Sequence, residues 1–211
     1  MRAVSAGAPA GYRGRPFGVY PQRLPGRLMF ACYDRGGEGV AFHDAADHNH
    51  GSGVLNPLDG SHLNEFRAEE AVGISYTKGG GIDDHRFNQV QPEQGLLYVG
   101  WTAPGNWLRY TVEVTEPGPF TATLLHTAPR GGAIALTVGD DPVGEVVEVP
   151  VAADPADEVP WRHAHHWATL EVPFPALPVG RHVLTLHTVR TGLMNYACLE
   201  VAAPAAGSFR T

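Results

Sequence analysis

The chain has 211 residues, 43% hydrophobic and 18% charged, and carries a formal net charge of −7. That balance belongs to a globular chain rather than a disordered one. The lack of a basic stripe argues against nucleic acid as a partner, and no apolar run reaches the roughly 18 residues that a membrane helix needs. The 26 Gly and 18 Pro are spread along the chain, so turns are many and elements short, as in an all-β sandwich or barrel.

Residues 1–14 are small, polar and Gly-rich and lack the apolar core of a signal peptide. The stretch to residue 26, with Pro16, Pro21 and Pro25, reads as a leader that is extended on the domain or loose. The first strand is expected at 28–33 (LMFACY), then a Gly-rich turn and a short strand at 40–43. Residues 44–67 are polar and full of turn formers, with His43, His48, His50 and His62 in or beside them. Their spacing fits no standard metal site, and solvated loop histidines are the default.

A strand at 73–77 leads into a long loop at 78–92 holding three successive glycines. Residues 96–114 (LLYVGWTAPGNWLRYTVEV) are the centre of the chain: two aromatic and β-branched runs around a turn at Ala103-Pro104-Gly105-Asn106. Trp101 and Trp107 flank that turn. Either both are core, or the one at the strand-to-turn junction stands out and offers its face to a sugar ring. Further strands are expected at 120–127, 133–138, 143–151, 168–172, 182–188 and 195–201, the next to last showing clear alternation. A loop at 152–166 ends in WRHAHHW (161–167). About ten short strands and no convincing amphipathic helix make the fold class all-β: a two-sheet β-sandwich, or jelly roll, with long loops at one end. The layout is a flexible leader at 1–15, one module at 16–203 and a tail at 204–211.

Four motifs in order, YDRGGEGVAFHD at 33–44, LNEFR at 63–67, YVGWTxPGxW at 98–107 and WRxxHHW at 161–167, resemble the family 6 carbohydrate-binding modules. The likeness is to the long-loop subgroup appended to bacterial glycoside hydrolases, and it runs over about 16–201. It implies a jelly roll that binds an oligo- or polysaccharide in a loop cleft and does no chemistry. The carbohydrate-binding residues it implies are Trp101 as the first aromatic, Asn195 as a hydrogen-bonding amide, Glu38 as a loop acid, and Trp161 and His163 in the loop of the second aromatic. That loop departs from the family, because Ala164 stands where a Trp is usual. The family's structural calcium is also in doubt, since its usual ligand positions are Met29, Ala31 and Ala197 here; a carboxylate-loving ion would find no side-chain oxygen. No cofactor is therefore expected. The likeness further implies an extracellular monomer, with a glycoside hydrolase domain as the natural associate.

Two other readings stand beside this one. A glycoside-processing enzyme would need two carboxylates across the scissile bond, for which Glu38 with Asp157 are the candidates, or an acid/base or metal site from His163, His165 and His166 with Asp154 or Asp157. A domain that has lost sugar binding is the third. Cys32 and Cys198 carry no metal spacing and lie on the two strands that the family likeness pairs antiparallel. They are expected to be neighbours, either as a disulfide or as two free thiols.

Overall fold

A computed structural model describes residues 7–204. It is a two-sheet β-sandwich. The strands are β1 Gln22–Leu24, β2 Gly26–Met29, β3 Phe42–His43, β4 Ile74–Tyr76, β5 Leu97–Val99, β6 Trp107–Val114, β7 Thr121–Thr127, β8 Gly132–Val138, β9 Asp141–Pro142, β10 Val147–Val149, β11 Trp167–Val172, β12 Gly180–Thr191 and β13 Asn195–Ala202. A seven-stranded sheet runs β1-β6-β12-β8-β10, with β3 on β6 and β9 on β8. A six-stranded sheet runs β11-β7-β13-β5-β4, with β2 on β13. One short helix, α1 His62–Glu65, is capped by Ser61, whose side chain accepts from the Asn64 N–H.

The main core lies between the sheets and contains Leu24, Phe30, Tyr110, Leu124, Leu184 and Tyr196. Alternation along β6 explains it: Leu108, Tyr110 and Val112 point inward, while Trp107 and Arg109 point out, half-buried. A second cluster of Leu96, Tyr98, Trp167 and Ala197, with Met29, Val90 and Leu125 against it, is separate from this core. Loop 78–95 is fastened beside it, since the Gln89 and Val90 N–H groups both donate to the Trp167 carbonyl at 2.9 and 3.2 Å.

The structure corrects the N-terminal reading in two places. Strand β1 lies inside the expected leader and pairs parallel with β6, Arg23 opposite Glu113. From Gly7 on, the leader is tied to the domain rather than loose. The Val183 N–H donates to the Gly7 carbonyl, Ala10 N–H to Asp140, and Arg15 and Arg35 exchange backbone bonds. Residues 1–6, and the tail beyond 204, lie outside the described residues. The expected strand 28–33 ends at Met29, and Phe30–Cys32 is a 3-10 turn. Phe30, Ala31 and Tyr33 are all buried. A strand sends alternate side chains to opposite faces and cannot bury all three in one core. Gln22 secures the break: its amide accepts from the Met29 N–H at 2.7 Å and donates to the Met29 and Cys32 carbonyls at 3.3 and 3.2 Å.

Strands β2 and β13 do pair antiparallel, but the cross-strand partner of Cys198 is Met29. Cys32 lies beyond the strand end, and both thiols are free. Burial raises both, Cys198 to about 11.

Candidate functional site

Trp101 follows β5 at a φ of 51°, a conformation that bulky residues adopt rarely and that costs on the order of 1 kcal/mol or more. The turn places the indole at the end of the sandwich, 39% exposed. Its seat is made of glycines. A Cβ on Gly73 would come within 2.8 Å of Trp101 Cε3, and one on Gly51 within 2.9 Å of Cζ3 and 1.9 Å of the Ile74 carbonyl. The His50 ring stacks beside the indole, centroids 6.2 Å apart at 30°. Behind it, the Thr102 hydroxyl donates to the Met194 carbonyl at 3.0 Å. Of the two tryptophans flanking the turn, Trp101 is the one that stands out. Trp107 is half-buried on β6, with the Arg109 guanidinium 4.4 Å from its ring centroid.

Trp161 is 58% exposed and sits on a 3-10 turn, Pro160–His165. This turn is pinned along its length. Arg162 donates to Asp157 through Nε and Nη2 at 2.7 and 2.6 Å. His166 bonds the same carboxylate at 2.8 Å, and His165 bonds Asp83 at 2.9 Å. His163 bonds the Asp157 carbonyl at 2.7 Å. The Arg162 guanidinium holds the Asp157 carboxyl well below the usual range, with the His166 and Val159 hydrogen bonds adding to it.

Asn195, first residue of β13, joins the two tryptophan regions. Its amide nitrogen donates to Thr127 Oγ1 and to the Ala164 carbonyl, both at 2.9 Å. Both amide hydrogens are thus used inside the protein, and Asn195 has only Oδ1 left to accept with. That oxygen faces Gly100, where a Cβ would come within 2.6 Å of it, next to Trp101.

Glu38 and His163 are less directly engaged. Glu38 bonds His43 and accepts from the Asp44 N–H at 3.2 Å, at the β3 edge of the seven-stranded sheet. Its neighbourhood continues through His43 to Trp107, centroids 6.4 Å apart, and no described contact ties it to Trp101, Asn195 or Trp161. His163 braces the Trp161 turn. Asp157 has both oxygens committed and is 2% exposed, so it offers a substrate neither a proton nor a lone pair. The pairing of Glu38 with Asp157 as catalytic carboxylates has no geometric support.

The positions that the family likeness gives to calcium are occupied by packed side chains. Ala31 is in the main core, Met29 packs on the cluster holding Ala197, and the Gln22 amide donates to the Met29 and Cys32 carbonyls beside them. Among the described residues, no three His, Cys, Asp or Glu side chains gather as a metal-binding set. Sequence reasoning named His50 only as a loop histidine and Asp157 only as a catalytic candidate, and missed that His50 flanks the Trp101 indole and that Asp83 and Asp157 anchor the Trp161 turn. A buried Asp in a loop carries no local pattern in the sequence.

No family model and no curated protein matches the chain. Solved structures do. The module CsCBM6-3 from Clostridium stercorarium, in complex with cellobiose, matches at a TM-score of 0.52 and 9% identity over 88% of this chain and 99% of that one. A glycoside hydrolase family 43 arabinoxylan arabinofuranohydrolase from Bacillus subtilis, in complex with cellotetraose, matches at 0.52 and 13% over 88% of this chain and 28% of that one. A β-1,3-glucan-binding module of family 6 from Bacillus halodurans matches at 0.49 and 17%, over 87% of this chain and all of that one. At such identities the two matches at 0.52 show the fold alone, a two-sheet β-jelly roll.

Proposed function

We propose that this chain is a non-catalytic carbohydrate-binding module of the family 6 kind. One observation carries the reading: an exposed indole, Trp101, held at positive φ beside an amide that bonds across to the loop of a second exposed indole, Trp161. Strained, over-determined conformations cluster at ligand sites, and an exposed aromatic ring is a platform for the C–H face of a pyranose. Asn195 Oδ1 accepts from a sugar hydroxyl beside Trp101. With Ala164 in place of a second pinching ring, Trp161 supplies the other aromatic surface, so the site grips from one side and a corner rather than between two parallel faces.

In this reading Glu38 and His163 contact the sugar only at the margin. No cofactor takes part. The module works outside the cell as a monomer, as an associate of a glycoside hydrolase, consistent with the hydrolase of which it resembles one part.

Titration of the chain with cellotetraose, xylotetraose and laminaritetraose tests this. At least one is expected to bind saturably, and Trp101→Ala to weaken it by about 1–3 kcal/mol. No saturable binding across a broad glycan panel, or an unchanged Kd in a folded Trp101→Ala variant, overturns it.

A further inference from the structure

Loops 78–95 and 152–166 flank an open cleft of about 590 Å³ on the Arg162 side of the Trp161 turn, a volume within the range of small-ligand sites. Its lining includes His85, Arg86, Phe87, Asp157, Glu158 and Arg162. The two loops form one rigid wall: Asp83 accepts from the Trp167 indole N–H at 2.7 Å and bonds His165, and Asn88 accepts from the Trp167 N–H at 3.0 Å.

Hydrogen-bond bookkeeping inside the cleft is lopsided. The Asp157 carboxylate is saturated by Arg162, His166 and the Val159 N–H. Arg162 spends Nε and Nη2 on that carboxylate, leaving Nη1 open. Among the described residues Arg86 has no hydrogen bond or ion pair; its guanidinium rests 4.8 Å from the Phe87 centroid, and that of Arg162 lies 5.3 Å from the same ring. His85 is 7% exposed, and neither ring nitrogen has a partner. Burial lowers its pKa, with His166 and Arg162 next in effect. Buried polar groups left unsatisfied in a folded protein call for an occupant such as a ligand or ordered water. The cleft therefore holds spare donors around one aromatic ring. Its spare acceptor is the exposed Glu158 at the rim.

We propose that this cleft is a second ligand site, one that takes the carboxylate of an acidic sugar. Arg86 and Arg162 both border the Phe87 ring, and a carboxylate seated beside that ring is taken by their free guanidinium N–H groups. The sugar's hydroxyls meet Glu158 at the mouth and reach toward His85 at the floor. The carboxylate half of this assignment stands on the cleft alone; the sugar half rests on the carbohydrate reading above.

Isothermal titration of the full chain with sodium glucuronate, methyl glucoside and sodium acetate tests it. Glucuronate is expected to saturate one site, with the glucoside and acetate far weaker. Arg86→Ala, a change at an exposed side chain, is expected to weaken glucuronate by about tenfold, and Trp101→Ala to leave it unchanged. Absent glucuronate binding, or binding indifferent to Arg86→Ala, overturns the site. Acetate as tight as glucuronate overturns the sugar. Loss of glucuronate in Trp101→Ala assigns the ligand to the other site and overturns this one. Cellotetraose binding by the same variants reports separately on the Trp101 reading.

Discussion

Trp101 and Trp161 are both exposed indoles on rigid supports, but opposite physics holds them. Trp101 is seated by close packing: glycine backbone under the ring, a strained φ and a hydroxyl bond behind. Trp161 is seated by charge: a turn whose residues hang on Asp157 and Asp83. Packing depends little on salt but is intolerant of one extra carbon. An ionic scaffold tolerates small changes of shape but not the loss of a partner. Asn195, bonded to the Ala164 carbonyl and set against Gly100, is where the two supports meet.

The largest expected effect breaks the ionic half. Asp157→Ala strands Arg162 and His166, both paired to it now. Losing one partner of a buried pair costs about 3–5 kcal/mol, to be read from urea unfolding, with Trp161 emission changing before the global transition.

Acid separates the two halves next. His126 on β7 is 1% exposed, and neither ring nitrogen has a partner; burial lowers it from 6.5 to about 4. The fold binds this proton less readily than the unfolded chain does. The stability it contributes is full above pH 6.5 and is lost as pH falls from there through about 4, by about 3 kcal/mol in all. Asp157 stays ionised through that window, because its carboxyl is held low. Acid therefore weakens the core while the Trp161 turn keeps its pairing. His126→Leu is expected to flatten the dependence; a slope that persists in that variant assigns it to other groups.

Gly73→Ala breaks the packed half. The new methyl would meet Trp101 Cε3 at 2.8 Å and the Gly100 carbonyl at 3.0 Å, an overpacking worth about 1–3 kcal/mol. Sugar affinity is expected to fall with it, while Asp157 pairing and Trp161 emission stay as they are.

The smallest effect sharpens the link between the halves. Asn195→Asp keeps the acceptor but removes the donors to Thr127 and Ala164. A loss of about 1 kcal/mol in stability is expected, along with weaker sugar binding. Unchanged stability with lost binding would return Asn195 to a purely ligand-facing role.

Elements whose pattern is periodic were legible in the sequence. The 107–114 run alternates, and β6 occupies those residues; β7 and β13 are within a residue of their expected ends. The edge strand β1 was not legible, because three residues between prolines carry no period and its pairing is decided by β6. The break after Met29 was hidden for the opposite reason: a run of apolar residues looks like a strand until the core claims adjacent side chains. At the site, Trp101 was legible from its place at a strand-to-turn junction. The use of both Asn195 hydrogens inside the protein was not, since its partners come from the end of β7 and from the Trp161 turn, each over thirty positions away in sequence.

The two thiols furnish the molecule with its own clock for opening. Cys198 is buried on β13, and Cys32 is half-buried beyond the end of β2. A soluble alkylating reagent meets Cys32 through small local motions, but it meets Cys198 only when β2 lifts from β13. The ratio of the two labelling rates then measures how often the N-terminal edge peels away relative to ordinary breathing. Because β13 begins at Asn195 and carries Cys198, the same ratio, taken with and without sugar, registers whether a ligand at the loop end quiets the strand further along.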